Sequence, residues 1–236
     1  MNLQRGLSMR TNNLNPIFIE KTKDGETMYD LSSRMIKDRV IYLDCEIDDE
    51  VTSQITSLLF LLDREARSEE KSNKKSEPIT FWINSPGGDV TGLFAIYDMM
   101  QRIHCDIITI CVGAASSAAA ILLSAGSPGM RYIQPHGRVM IHQIQVGGLS
   151  GSNTEIEIEA GELKIINNSL IEILARHCGR TRAKVKRDTK LDKYLSAQEA
   201  VDYGIVDHIL PAYKKSPELI AKESDRKTKD KVEQET

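Results

Sequence analysis

No C-x-x-C pair occurs in this chain: Cys45, Cys105, Cys111 and Cys178 stand apart, the closest two six positions from one another. That spacing excludes a compact zinc site and a secreted disulfide framework, and implies reduced thiols in a cytoplasm-like compartment. Neither sign of charge prevails, since 31 Lys and Arg face 34 Asp and Glu for a formal net charge of −3. Such a balance gives no electrostatic reason to invoke nucleic acid. The first residues lack the apolar core of a signal peptide. Met1 to Ile19 holds Arg5 and Arg10 and no acid, so a transit peptide competes with a short tail or removable propeptide; the tail is the reading adopted. A Walker phosphate loop is also missing, because N-S-P-G-G at 84–88 is not followed by Gly-Lys-Ser/Thr.

What is present begins with an uncharged stretch, Ile107 to Gly126, twenty residues long and so long enough to span a bilayer. Its first half is β-branched, Gly113 interrupts it, and its second half is rich in alanine. That punctuation argues for a strand followed by a buried helix rather than a span. The composition of the 236 residues, 40% hydrophobic and 28% charged, is that of one globular domain with extra segments. The expected division is a flexible N-terminus or propeptide at 1–15, a folded domain at 16–212 and a charged, disordered tail at 213–236.

Within that domain the pattern predicts a strand at Val40–Leu43 and a helix from Asp48 to about Leu62, capped by Asp48 or Asp49. Arg64 to Pro78 reads as a charged surface loop. Strand Ile79–Ile83, a helix near Val90–Ile103, strand Asp106–Val112, a helix to about Gly126, and short strands at Met130–Ile133 and Arg138–Ile141 follow. Strand and helix alternating at this spacing give βαβ units and a parallel sheet, an α/β fold. A long helix is predicted from Glu155 to about His177, with Ser152, Asn153 or Thr154 as its cap. Its apolar residues cover more than one face, so burial on several sides, by a neighbouring subunit, is expected.

The chemistry concentrates at G113-A-A-S-S-A-A-A120. A serine at a helix start lies beside backbone N–H groups without intrahelical partners, which can stabilise an oxyanion. Taken alone, a serine at this junction reads first as an N-cap, at Ser116 or Ser117. The glycines of N-S-P-G-G either aim N–H groups at a ligand or simply make a turn. His142 ends an apolar strand, as a general base would, and as a satisfied half-buried histidine also would. Asp192 or Asp188 is placed to orient an imidazole, and spacing alone does not choose between them. The absence of G-x-S-x-G around Ser117 argues against an α/β-hydrolase.

Taken together, several segments between about Pro16 and Leu210 resemble ClpP, the peptidase component of Clp proteases. They are I-E-K-T-K-D-G-E, Y-D-L-S-S-R-M-I-K-D-R-V-I-Y-L, I-N-S-P-G-G, A-I-Y-D-M-M-Q, T-I-C-V-G-A-A-S-S, R-V-M-I-H-Q, R-D-T-K-L-D-K-Y-L-S-A-Q-E-A and Y-G-I-V-D, in family order. The resemblance implies a crotonase-like α/β fold with a protruding helix-and-strand handle, in two stacked seven-membered rings. It places the nucleophile on Ser117, the base on His142, the acid on Asp192, and the oxyanion-hole N–H groups on Gly88 and Ala118. It implies that 145–149 is the strand along which a substrate lies, with contacts at Gln145, Val146 and Gly147. No cofactor and no metal is implied; the partners are unfolded polypeptide and an AAA+ unfoldase of the ClpX or ClpA type, in the cytoplasm.

Four departures stand out. Ala118-Ala119 replace the usual Met-Gly, Ile144 replaces proline, the following segment is one residue longer, and the 64–78 loop is extended. In the surface pocket for the ATPase, Thr80 and Arg102 stand at positions that are usually aromatic, with Trp82 retaining its ring. Arg102 then either lines that pocket or stacks on Trp82, and weak docking without a second ClpP-like subunit or an adapted ATPase is expected. Two other functions fit the residues: a regulatory or weakly active subunit of a mixed ring, and an acyl-CoA enzyme of the same fold. The second is disfavoured because Ser117, His142 and Asp192 all follow the protease pattern.

Overall fold

The computed structural model describes residues 16–22, 25–70 and 77–211. The expected segments 1–15 and 213–236 lie outside them. A small antiparallel pair, β1 (Phe18–Thr22) and β2 (Gly25–Tyr29), leads into a short helix, α1 (Leu31–Lys37), and the central sheet begins with β3 (Val40–Leu43). Then follow α2 (Asp49–Glu70), β4 (Ile79–Ser85), α3 (Val90–Arg102), β5 (Ile107–Ser116) and α4 (Ala118–Ser124). The chain continues through β6 (Arg131–Ile133), β7 (Arg138–Ile141), α5 (Asn153–Cys178), α6 (Arg182–Asp188), β8 (Lys193–Leu195), α7 (Ala197–Tyr203) and β9 (His208–Ile209).

The sheet runs β3-β4-β5-β6-β9, all parallel, as the alternation of strands and helices predicted. β4 alternates strictly: Ile79, Phe81, Ile83 and Ser85 are buried while Thr80, Trp82 and Asn84 face the other way, the period of two expected of a strand with one covered face. β5 is longer than its pattern suggested. It passes through Gly113 to Ser116 and changes partner on the way, pairing with β6 at 109–111 and with β7 at 114–116. Gly113 is where the Asn84 side chain crosses: a Cβ there would sit 2.5 Å from Asn84 Oδ1, which accepts from Ala114 N at 3.1 Å. The glycine thus accommodates a close side-chain approach rather than ending the strand.

α2 is also longer than predicted. The first part of the expected surface loop, Arg64 to Glu70, is helical, because R-E-A-R-S-E-E consists mostly of good helix formers. Ala66 is buried there and Arg67 pairs with Asp63 one turn back at 2.7 Å. Asp48 is the cap, its Oδ1 accepting from Val51 N at 2.8 Å. All seven residues of α4 are buried, as the uncharged stretch requires. No helix among the described residues is long and apolar enough to cross a membrane.

α5 starts on a full capping box, Ser152 with Glu155, and ends on Gly179 at φ +60°. Its C-terminal part is packed, with Leu170, Ile171, Ile173 and Leu174 buried; its N-terminal part leaves Ile158 and Ile165 more than half exposed. That is the several-faced apolarity read from the sequence, and only one half of it is covered within this chain.

Arg131, at the start of β6, ties the end of the fold together. Its guanidinium donates to both oxygens of Asp207 at 2.5 and 2.9 Å, and to the carbonyls of Ser124, His177 and Gly204. His177 lies against this hub, with Nε2 3.0 Å from the Tyr97 hydroxyl. Burial first, then the Arg131 and Arg176 charges, push its imidazole from 6.5 down to about 4. The folded imidazole is therefore neutral where an unfolded one takes up a proton, so stability present above pH 6.5 is lost as pH falls toward 4. The midpoint of thermal unfolding is expected to drop across that window, and to drop less in His177→Gln. An equal drop in both proteins contradicts this account. A separate loss sets in only below the ordinary carboxyl value of 3.8. There, burial of Asp207 and Asp63 is outweighed by hydrogen bonds that hold both carboxyls low.

Candidate active site

Ser117 sits on the turn between β5 and α4 with φ +55° and ψ −123°, a conformation that side-chain-bearing residues rarely adopt. The backbone is held there from both sides. Its N–H donates to Met140 O at 2.8 Å, and its carbonyl accepts from Ala120 N at 3.0 Å. Ser117 occupies the N-cap position but makes no side-chain cap hydrogen bond. Its Oγ lies instead 2.7 Å from His142 Nε2. The capping explanation therefore does not account for Ser117, while Ser116 is the last residue of β5, opposite Met140.

The same register delivers His142. β7 pairs with the last residues of β5, so the residue just beyond its end arrives beside the serine. Its imidazole is 13% exposed, and Nδ1 is buried without a hydrogen-bond partner. Asp192 Oδ1 is 3.7 Å from that nitrogen, close enough for ion pairing but longer than a hydrogen bond. Asp192 directly precedes β8, which runs antiparallel to β7 and matches Ile141 with Lys193. Asp188 is committed elsewhere: Lys184 Nζ is 3.0 Å from its Oδ2. Burial would raise the Asp188 carboxyl, but hydrogen bonding and charge from Lys184 outweigh that and hold it below its ordinary value.

The N-S-P-G-G loop closes the other side. Ser85 Oγ donates to Cys45 O and accepts from Gly87 N, and Gly88 bridges to Ile47. A Cβ on Gly87 would meet Ser116 O at 2.7 Å and Ser117 Cβ at 2.8 Å. Only glycine lets the loop pack this tightly on the serine turn. The N–H groups of Gly88 and Ala118 have no acceptor among the described residues. Both residues line one cavity of about 80 Å³ with Ser117 and His142, walled by Val90, Leu93, Ile121 and Leu170. A larger cavity, about 500 Å³, lies elsewhere and contains none of these groups.

Residues 145–149, expected as a substrate-binding strand, pair with no other segment among the described residues. The segment is tethered at its start instead. Gln143 N donates to Thr189 O at 2.6 Å, and Ile144 N donates to Asn167 Oδ1 at 3.2 Å, a bond that the family's proline has no N–H to make. Gln145 Nε2 donates to Asp192 Oδ1 at 3.3 Å; Val146 and Gly147 are exposed.

Trp82 and Arg102 are not brought together. Trp82 is 38% exposed and packs edge-to-face with Tyr42 at 6.0 Å. Strand register extends that row through Ile110 to Tyr132 and His208, a surface that residue-by-residue reading missed because its members come from five strands. Arg102 lines the larger cavity with Phe60, Arg64, Arg67 and Met99, and no cation–π contact joins it to Trp82. Residues 23–212 match the sequence model of a family described as Clp protease.

Proposed function

Since the chain belongs to the Clp protease family, we propose that it is the serine peptidase subunit of a self-compartmentalised, ATP-dependent protease that cuts unfolded polypeptide into short peptides. The observation that carries this reading is the 2.7 Å contact between Ser117 Oγ and His142 Nε2. His142 Nε2 takes the Ser117 proton as Oγ attacks the scissile carbonyl, then returns it to the leaving amine. The N–H groups of Gly88 and Ala118 receive the oxyanion. Asp192 orients the imidazole through Nδ1. The apolar walls of the adjoining cavity take a substrate side chain, and the main chain of 145–147 pairs with the extended substrate, a mode that does not depend on side-chain identity.

In this reading the fold is crotonase-like, and the exposed apolar half of α5 forms the handle between two stacked seven-membered rings in the cytoplasm. An AAA+ unfoldase of the ClpX or ClpA type docks on the aromatic row around Trp82, from which Arg102, in the cavity beside Phe60 and Met99, stands apart. A second reading, a weakly active subunit of a mixed ring, draws support from the 3.7 Å gap between His142 and Asp192.

Purified chain and a short fluorogenic peptide separate the two. Hydrolysis without ATP is expected, whereas a stably folded protein requires ATP and the unfoldase. An assembled but inactive chain supports the second reading, and rapid degradation of a folded domain by the chain alone rules out the closed chamber.

A further inference from the structure

The carboxylate proposed as the triad acid is poorly held for its task. Asp192 is 44% exposed, and its Oδ1 stands 3.7 Å from a buried His142 Nδ1 that has no hydrogen bond. Water competes for such a group, and an exposed side chain on a turn drifts unless something fixes its rotamer. One side chain does. Gln145 Nε2 donates to that same Oδ1 at 3.3 Å. A carboxylate only accepts, so the amide must present its NH2 end.

The segment that carries Gln145 is itself tied to the chain two and three residues before the acid. Gln143 N and Gln143 Nε2 donate to the carbonyls of Thr189 and Lys190, and Ile144 N donates to Asn167 on α5. Segments 143–145 and 189–192 therefore move as one unit, and the amide travels with the carboxylate that it binds.

We propose that Gln145 is a positioning residue, which keeps the Asp192 carboxylate within closing distance of His142 Nδ1 so that the hydrogen bond forms when the imidazole becomes charged. The proposal rests on the triad reading above. One Oδ1 has lone pairs for both donors, so the amide bond need not break as the His142 bond forms.

Peptide hydrolysis by the full chain tests it. Gln145→Leu and the isosteric Gln145→Glu are each expected to lower kcat on the order of tenfold. KM should stay within about twofold, because substrate pairing in this segment uses main-chain groups. The rate of fluorophosphonate labelling at Ser117 should fall in parallel with kcat. In an Asp192→Asn background, Gln145→Leu should cost nothing further, since the two act as a unit. Unchanged or raised kcat in both single variants overturns the proposal. So does an equal loss in the Asp192→Asn background, which marks simple packing. If Asp192→Asn is itself harmless, the triad reading falls along with it; if only the Gln145 variants are harmless, the triad reading survives. Matching thermal unfolding curves for Gln145→Glu and wild type exclude misfolding as the cause of a loss.

Discussion

Ser117→Ala is expected to reduce kcat/KM for a short peptide by about 10⁴- to 10⁶-fold, leaving only what the oxyanion donors and binding supply. The loss should be chemical and not structural. The turn holds its unusual φ of +55° through main-chain bonds to Met140 and Ala120, and alanine adopts that conformation at a similar cost. The Ala variant should therefore assemble and unfold as the wild type does. Ser116→Ala provides the contrast: its side chain lies one residue away, on the preceding strand position, and most activity should remain. Mass spectrometry of chain treated with a fluorophosphonate should locate the label on Ser117. A label on Ser116, or an active Ser117→Ala protein, assigns the nucleophile elsewhere.

The two aspartates are expected to separate just as widely. Asp192→Asn exchanges the carboxylate facing His142 Nδ1 for an amide that leaves the imidazole in the wrong tautomer, a change expected to lower kcat by about 10²- to 10⁴-fold. Asp188→Asn removes a partner of Lys184 within 3.0 Å and leaves Asp192 untouched. Its effect should appear in the unfolding midpoint, with kcat within about threefold of wild type. Steady-state kinetics and thermal melts on the same two preparations decide the matter, and the opposite ranking in kcat moves the acid to Asp188.

The sequence was most informative where one physical signal dominates. The regular succession of strand-like and helical segments made β4 and β5 visible, and the uncharged run at 107–126 announced a buried strand and helix. Signals failed where two effects compete. Gly113 was read as a strand breaker, but the Asn84 side chain crosses at that point, and a glycine serves that approach as well as it serves a turn. Arg64 to Glu70 was read as loop from its charges, although the same residues are good helix formers with Ala66 buried beneath them. At the candidate site, Ser117 and His142 stood out locally. The choice between Asp188 and Asp192 did not, because it depends on how β8 lies on β7, a pairing that no local pattern encodes. The Gln145 contact was invisible for a related reason: a polar residue in an irregular segment has no period to betray its direction.

The strand register between β5 and β7 sets the stiffness of the site. Ser117 and His142 are attached to the interior of the sheet through Ser116 opposite Met140. The ladder fixes the separation of their backbones, and a one-residue slip would turn every side chain of β7 to the wrong face. The acid belongs to a different mechanical class. It sits on an exposed turn, held by one amide and by the short β8. The constellation thus has a rigid half and a compliant half, and the compliant half lies beside the 145–147 segment proposed to meet substrate. Gentle perturbation should spare the serine–imidazole pair and act first on the carboxylate, so that activity softens gradually before the fold itself gives way.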